Sequence, residues 1–329
     1  MELILAFLAG LAFFLYGMRE VSDGLRALAG ARLAGVLSRF SRTPLRGLLL
    51  GALVTAAVQS SSATTVMVVG FVNSGVMPLA NAVGVIMGAN LGTTATAWLL
   101  SLAGVSGGVP LLRFFKPSTL APLLALAGVV LLFAAREKEK RRVLGTVLFG
   151  FGLLFAGMNQ MSGAVAPLAD SPEFARLFLI FQNPVAGLLL GALLTALMQS
   201  SSASVGVLQA LCATGTVTLG TVVPIVMGQN IGTCVTALLS GLGTSRNAKR
   251  AALLHLYFNV LGAAVLLGVF YVLLKLGMIQ GAQVVGAGTV ATVHTLFNLA
   301  ATLLLLPFSK QLLRLTELTV KNREKPELQ

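Results

Sequence analysis

Gln59-Ser60-Ser61-Ser62-Ala63 is the stretch that decides the fold, and Gln199-Ser200-Ser201-Ser202-Ala203 repeats it later in the chain. Each pentad follows an apolar run that predicts a helix within lipid. A glutamine and three serines are unfavourable there, because burying each unpaired amide or hydroxyl costs about 1–3 kcal/mol or more. A single copy could serve as polar packing between membrane helices. Two copies indicate the tips of two binding elements.

The composition indicates a polytopic, all-α membrane protein. Of 329 residues, 56% are hydrophobic and only 10% are charged, and the mean hydropathy is +0.91. Several apolar stretches reach the roughly 20 residues that a helix needs to cross the hydrocarbon core. The net charge of +13 lies mainly between these stretches, which favours lipid headgroups over nucleic acid as its partner. The two cysteines fit no metal-ligand spacing, and neither a cofactor nor a transition metal is expected.

An internal duplication at one constant offset sets the predicted architecture. Residues 44–63 match residues 184–203 at 15 of 20 positions. Two shorter blocks keep the same offset, 15–18 with 155–158 and 87–93 with 227–233. Polar matches in one register over such a distance indicate a duplicated unit rather than chance.

Each repeat is predicted to contain a re-entrant hairpin at its Gln-Ser tip, followed by a broken transmembrane helix. Gly88 and Gly92 flank Asn90 and predict local unwinding of that helix, which would free backbone carbonyls. The basic stretch 18–46 predicts an interfacial helix. The N-terminal run 3–16 is expected to be a retained span rather than a signal peptide. Predicted spans lie at about 3–17, 76–103, 118–135, 143–161, 218–242, 252–274 and 283–306, with hairpins at 44–72 and 184–213.

The predicted units follow from this order. They are a first inverted repeat at 1–142, a second at 143–250, two additional transmembrane helices at 251–308 and a cytoplasmic tail at 309–329.

The distribution of charge distinguishes a re-entrant tip from a single distorted crossing. If both tips turn back, the basic stretches 18–46, 136–142 and 246–250 fall on one side with the C-terminal tail. The linker 162–183, with Asp170 and Glu173 against Arg176, then falls on the other side. This positive-inside pattern favours inverted repeats in the cytoplasmic membrane, with the N-terminus outside and the C-terminus in the cytoplasm. Arg113 and Lys116 oppose it, because they fall outside.

Inverted repeats with interrupted helices are typical of secondary transporters, which bind their substrates near the midplane. The serines at 60–62 and 200–202 are predicted to begin a helix, where unpaired N–H groups favour an anion. Asn90, Thr93, Asn230 and Thr233 offer oxygen ligands for a small alkali cation. No Asp or Glu lies within a predicted span, which favours sodium over proton coupling. No buried Arg or Lys is expected, so dipoles and bound cations would offset the anion's charge.

At these motifs the chain resembles the type II sodium-dependent phosphate cotransporter family over nearly all of residues 1–307. The resemblance rests on QSSSAT and QSSSAS, the paired GxNxGT segments, and the twin segments 255–259 and 294–298. It implies sodium-coupled movement of inorganic phosphate, not enzymatic catalysis. The implied phosphate contacts are Ser60, Ser61, Ser62, Ser200, Ser201 and Ser202. The implied sodium contacts are Gln59, Asn90, Thr93, Thr94, Gln199, Asn230 and Thr233.

Many bacterial members of that family carry a cytoplasmic domain after the spans that resembles the phosphate-regulatory protein, whereas this sequence ends at Gln329. A homodimer is a possible oligomeric state of the protein.

Other functions stay open on the residues alone. An intramembrane hydrolase could use one serine as a nucleophile, although the predicted spans offer no acid to orient its histidine. A channel or a scaffold is a third class. Within the transporters, the alternatives are another oxyanion and phosphate export. His255 and His294 each precede an asparagine by four residues, and this spacing predicts structural hydrogen bonding between helices.

Overall fold

The computed structural model describes residues 2–40, 43–102, 117–135, 139–167, 180–181, 183–212 and 214–321. Within these ranges the chain is almost entirely helical and forms no β-strand. Arg113, Lys116 and the charged linker residues 170, 173 and 176 lie outside them. The helices are α1 (Glu2–Phe40), α2 (Pro44–Val58), α3 (Ser61–Asn73), α4 (Leu79–Ser101), α5 (Pro117–Ala134), α6 (Glu139–Val165), α7 (Pro184–Met198), α8 (Ser201–Cys212), α9 (Leu219–Ser240), α10 (Arg246–Lys275), α11 (Ala287–Leu305) and α12 (Ser309–Thr319).

Six of the described helical stretches are long and apolar enough to cross a membrane. Large apolar side chains such as Leu126, Phe133 and Leu303 lie on the surface, as expected for helices that face lipid. The chain is therefore a multi-pass membrane protein. The six stretches are Glu2–Leu28, Leu79–Ser101, Glu139–Val165, Leu219–Ser240, Arg246–Lys275 and Ala287–Thr319.

The first helix differs from the prediction. We expected a span at about 3–17 and a separate interfacial helix, but α1 is continuous and its spanning stretch extends to Leu28. Glu20 and Asp23 therefore lie within a candidate span, contrary to the expectation that no acid would. Arg19 Nε lies 3.5 Å from Asp23 Oδ2, and Arg26 Nη1 lies 3.5 Å from Asp23 Oδ1. These pairs share one helix face, so the charges do not interrupt the helix.

The predicted unwinding at the GxNxGT segments is wrong. Both α4 and α9 continue as regular helices through them. A Cβ atom added at Gly88 would lie 2.0 Å from the carbonyl oxygen of Leu48 in α2. One added at Gly228 would lie 2.0 Å from the carbonyl oxygen of Leu188 in α7. The glycines therefore allow two helix backbones to approach closely, and no broken transmembrane helix forms at either segment.

The order of these contacts fixes the direction of the helices. Leu48 packs on Gly88 and Ala52 on Gly92, so contacts advance together along α2 and α4 and the two helices run parallel. The pairs Leu188–Gly228 and Ala192–Gly232 repeat this arrangement in α7 and α9.

Helices α1 and α6 instead run antiparallel. Gly10 lies against Met161 and Gly17 against Leu154, so each step forward along α1 is a step back along α6. Helix α5 packs on the other side of α6, with Gly128 against Phe149. Helices α3, α4 and α10 pack together through a shared cluster of buried apolar residues.

Candidate functional site

Each Gln-Ser motif breaks the chain into two helices. Helix α2 ends at Val58 and α3 begins at Ser61, and Gln59 between them has φ 56° and ψ 29°. Gln199 has φ 52° and ψ 23° between α7 and α8. Among the described residues, these glutamines are the only non-glycine residues with positive φ. That left-handed conformation costs about 1–2 kcal/mol for a residue with a Cβ, and such strain clusters at functional positions.

The first serine of each motif caps the helix that follows. The Ala63 N–H donates to Ser60 Oγ at 3.2 Å, and the Ala203 N–H donates to Ser200 Oγ at 3.2 Å. Ser61 and Ser201 are the first helical residues. N–H groups in a first turn have no partner within their helix and lie at its positive end. Each motif therefore presents a helix N-terminus whose electrostatics suit an anion.

The two motifs, which are far apart in the sequence, meet at one cavity of about 320 Å³. The structure thus brings together all six serines predicted to bind phosphate. It also places Gln59 and Gln199, two of the predicted sodium ligands, in the same wall. The lining consists of Leu15, Met18, Arg19, Ser22, Gln59, Ser60, Ser61, Ser62, Met198, Gln199, Ser200, Ser201, Ser202 and Ala203.

The chemistry of the lining suits an anion accompanied by a cation. Ser61, Ser201 and Ser202 are buried, and their hydroxyls can donate to an oxyanion alongside the two helix termini. No carboxylate belongs to this lining among the residues that the structure describes. The side-chain oxygen Oε1 of Gln59 is buried and accepts no hydrogen bond from the described protein atoms, so it can coordinate a cation.

Two lining residues, Arg19 and Ser22, were missed by sequence reasoning. They lie on α1 with Leu15 and Met18 at a spacing typical of one helix face. The sequence assigned Arg19 to a basic interfacial stretch and indicated that dipoles and bound cations, rather than an Arg or Lys side chain, would offset the charge of the anion. The signal that could have found it is its place directly after the repeated block 15–18.

The five other predicted sodium ligands do not line this cavity. Asn90 Nδ2 donates to Asn259 Oδ1 at 2.9 Å, and Asn90 Oδ1 lies 2.9 Å from His255 Nε2. This buried network joins α4 to α10 and confirms the prediction that His255 bonds between helices. The remaining four bond to carbonyls of their own helices: Thr93 to Ala89, Thr94 to Leu91, Asn230 to Val226 and Thr233 to Gln229.

Known proteins resemble the chain over its whole length. A YqeW protein of Bacillus subtilis, described as uncharacterized, is 30% identical over 323 residues, which cover 97% of this chain and 99% of the relative. The protein YjbB of Escherichia coli, described as a putative inorganic phosphate export protein, is 30% identical over 327 residues. That match covers 99% of this chain but 57% of YjbB.

A mammalian relative matches part of the chain. The mouse sodium-dependent phosphate transport protein 2A is 42% identical over 163 residues, which cover 49% of this chain and 25% of the relative. No solved structure matches the chain.

The family model described as Na+/Pi-cotransporter matches residues 13–163 and 168–304. Each of these two stretches contains one of the Gln-Ser motifs that meet at the cavity. This is a family of transporters, which sets aside the serine hydrolase. The chain belongs to the Na+/Pi-cotransporter family.

Proposed function

We propose that the protein couples the movement of inorganic phosphate to sodium, with phosphate bound in the cavity between the two Gln-Ser motifs. The observation that carries the proposal is the meeting of two helix N-termini and six serines in that one cavity. Tetrahedral phosphate has four oxygens, and donors converging from two sides can contact several of them at once. Family membership supports phosphate as the substrate. Gln59 and Gln199 are the proposed sodium ligands within the cavity.

The proposed architecture is a pair of inverted repeats. At the offset of the sequence duplication, Gly17 corresponds to Gly157 and Phe14 to Leu154. Gly17 packs on Leu154, and Gly157 packs on Phe14. This reciprocal exchange of equivalent residues across an antiparallel helix pair is the contact pattern of a two-fold axis. An axis that reverses helix direction fits inverted repeats, which surround the sites of many secondary transporters.

Each Gln-Ser motif is proposed to form the tip of a re-entrant hairpin. Helices α2 and α4 run parallel, so the chain has to return along α3 before α4 begins. Thr55 Oγ1 donates to Thr64 Oγ1 at 2.9 Å across the tip, which ties the two arms together. Helix α2 has 15 residues and α3 has 13, and each is too short to cross the hydrocarbon core.

The proposed orientation in the cytoplasmic membrane places the N-terminus outside and the C-terminus in the cytoplasm. Single cysteines at Ser38 and Arg141, in a variant lacking the native cysteines, should be shielded from an impermeant external thiol reagent. One at Asp170 should react. Labelling of Ser38 and Arg141 from opposite sides would contradict both the hairpins and the inverted repeat.

Sodium-driven uptake is tested directly in proteoliposomes. An inward sodium gradient should drive saturable phosphate accumulation, which a protonophore leaves intact while the sodium gradient is maintained. Because Glu20 and Asp23 lie within α1, proton coupling has to be tested rather than set aside. Equal uptake driven by a pH gradient in sodium-free buffer would contradict sodium coupling. Sulfate and dicarboxylates as competitors test the choice of anion.

Net export of phosphate is a second candidate, favoured by the description of YjbB as a putative phosphate export protein. The direction of net flux follows from the gradients that the coupled ions experience. Phosphate-loaded vesicles should release phosphate under an outward sodium gradient if the same coupled cycle runs in reverse. Phosphate release at the same rate with and without the sodium gradient would favour a dedicated exporter.

A further inference from the structure

The formal positive charge in the described lining of the cavity comes from a side chain of one helix, α1. Arg19 is the one Lys or Arg residue in the described lining of the cavity. It shares a face of α1 with Leu15, Met18 and Ser22, which also line the cavity. Its side chain is 76% exposed, so the guanidinium lies at the exposed rim of the cavity rather than in the buried part beside Ser61.

The second repeat does not supply an equivalent charge. At the offset of the duplication, Asn159 of α6 corresponds to Arg19, and Ser162 corresponds to Ser22. Neither lines the cavity, and Ser162 Oγ donates to the carbonyl oxygen of Ala210 in α8 at 3.3 Å. The duplicated face of α6 thus packs against α8, whereas the corresponding face of α1 lines the cavity and carries the arginine.

Arg19 shares its counter-ion with a second arginine. Its Nε lies 3.5 Å from Asp23 Oδ2, while Arg26 Nη1 lies 3.5 Å from Asp23 Oδ1. All three side chains are substantially exposed, at 76%, 42% and 55% for Arg19, Arg26 and Asp23. An exposed pair of this kind is weak, so Arg19 can leave Asp23 for a stronger anion at little cost. Arg26 is not part of the cavity lining.

We propose that Arg19 is an anion-capturing residue at the mouth of the cavity and that Asp23 limits its attraction for phosphate. This rests on the proposed phosphate function. A cation at the mouth of a cleft raises the local concentration of an anionic substrate, and Arg can bind phosphate oxygens through two parallel hydrogen bonds. Asp23 competes for the same guanidinium and adds a negative charge nearby. The buried serines then bind the captured anion.

The test measures phosphate uptake into proteoliposomes at fixed sodium, with ionic strength set by a choline salt. R19Q should raise the KM for phosphate about two- to fivefold at low ionic strength, the range expected for one exposed charge pair. It should leave kcat unchanged, and the difference should shrink as added salt screens the charge. R19K should recover much of the KM because it keeps the charge.

Two further variants separate capture at the mouth from a general effect of charge. R26Q removes the same charge from the same helix and the same partner, but not from the cavity lining, so it should raise the KM by a smaller factor than R19Q does. D23N should lower the KM, because it releases Arg19 and removes the opposing charge. In the R19Q background, D23N should lower the KM by a smaller factor.

The outcomes distinguish this inference from the proposed function. Normal saturable uptake by R19Q, with the KM of R26Q, would overturn the role of Arg19 and leave the transport function standing. A KM increase that added salt does not reduce, or that R19K does not reverse, would assign Arg19 a structural role and also overturn the inference. Absence of phosphate uptake and of sodium-dependent phosphate binding in the wild type would overturn the proposed function, and the inference with it.

Discussion

Replacing Gly88 by alanine should displace one Gln-Ser motif without touching it. The added Cβ would lie 2.0 Å from the Leu48 carbonyl oxygen, whereas ordinary contact begins near 3.4 Å, so α2 and α4 must separate by about 1.4 Å. Overpacking of this kind costs about 1–3 kcal/mol of stability. Helix α2 leads directly to Gln59, so its displacement shifts the wall of the cavity.

The effect on binding follows from the hydrogen bonds that such a shift breaks. Loss of one hydrogen bond to a charged ligand costs about 1.5–3 kcal/mol, which corresponds to about a 10- to 150-fold loss of phosphate affinity. We therefore expect Gly88→Ala to unfold at lower temperature in detergent and to bind phosphate at least tenfold more weakly. Gly228→Ala should act in the same way, because its added Cβ would also lie 2.0 Å from a carbonyl oxygen, that of Leu188.

Gly70→Ala is the matched control, because it makes the same chemical change in α3, the second arm of the proposed hairpin whose first arm packs on Gly88. A Cβ added at Gly70 meets no atom within 4 Å, and alanine favours a helix over glycine by about 0.5–1 kcal/mol. This variant should keep the affinity of the wild type and equal or exceed its stability. Unchanged unfolding temperature and phosphate affinity in Gly88→Ala would refute the reasoning from close packing.

Four other substitutions test separate parts of the structure. Ser61→Ala should weaken phosphate binding about 10- to 150-fold with little change in unfolding temperature. Ser60→Ala should also lose about 1 kcal/mol of stability, because it removes a helix cap. Phosphate titration and thermal unfolding distinguish the two variants. Asn90→Ala should cost about 1–3 kcal/mol for each buried partner left unpaired, read as a lower unfolding temperature, and wild-type stability would count against the network. Arg250 Nε and Nη2 donate to the Val320 carbonyl oxygen at 3.1 and 2.7 Å and so anchor the chain after α12. Arg250→Ala should therefore speed proteolysis after α12. An unchanged cleavage rate would contradict this anchoring role.

The helical class and the two motif breaks could be predicted because their signals are local. Length and hydropathy indicate which segments cross lipid, and a polar cluster in an apolar run indicates a break. The fixed offset of the repeat then linked Ser60 to Ser200, two residues that no local rule connects. Their meeting at one cavity agrees with the phosphate contacts that the family resemblance implied, which come from both motifs. The continuity of α1 was missed because the basic stretch that begins at Arg19 suggested an end to the span, whereas the ion pairs of Asp23 with Arg19 and Arg26 lie along one face of an unbroken helix.

The positions assigned to sodium illustrate a different limit. Gly88, Asn90 and Gly92 carry the same local signal whether the helix unwinds or packs closely on another helix. Only the backbone of α2 decides between these outcomes, and it belongs to a separate segment beyond the reach of any local pattern. Asn90 likewise resembles a cation ligand in the sequence, whereas in the structure its side-chain amide forms hydrogen bonds with His255 and Asn259. Arg19 was missed for the converse reason, since a basic residue after a span resembles a membrane anchor.

The close approach of α2 to α4 also determines what sequence comparison can reveal about this contact. At Gly88 the atoms nearest an added Cβ all belong to the backbone of α2, with the Leu48 carbonyl oxygen first, and every residue type carries these atoms at the same place. A larger residue at the glycine cannot be compensated by a smaller one on the other helix, because no side chain there can shrink. Paired substitutions between these positions should therefore be scarce, and co-variation should give little signal for one of the tightest helix contacts in the protein. Gly88 in the first repeat and Gly228 in the second should therefore each be retained independently of the residues they contact.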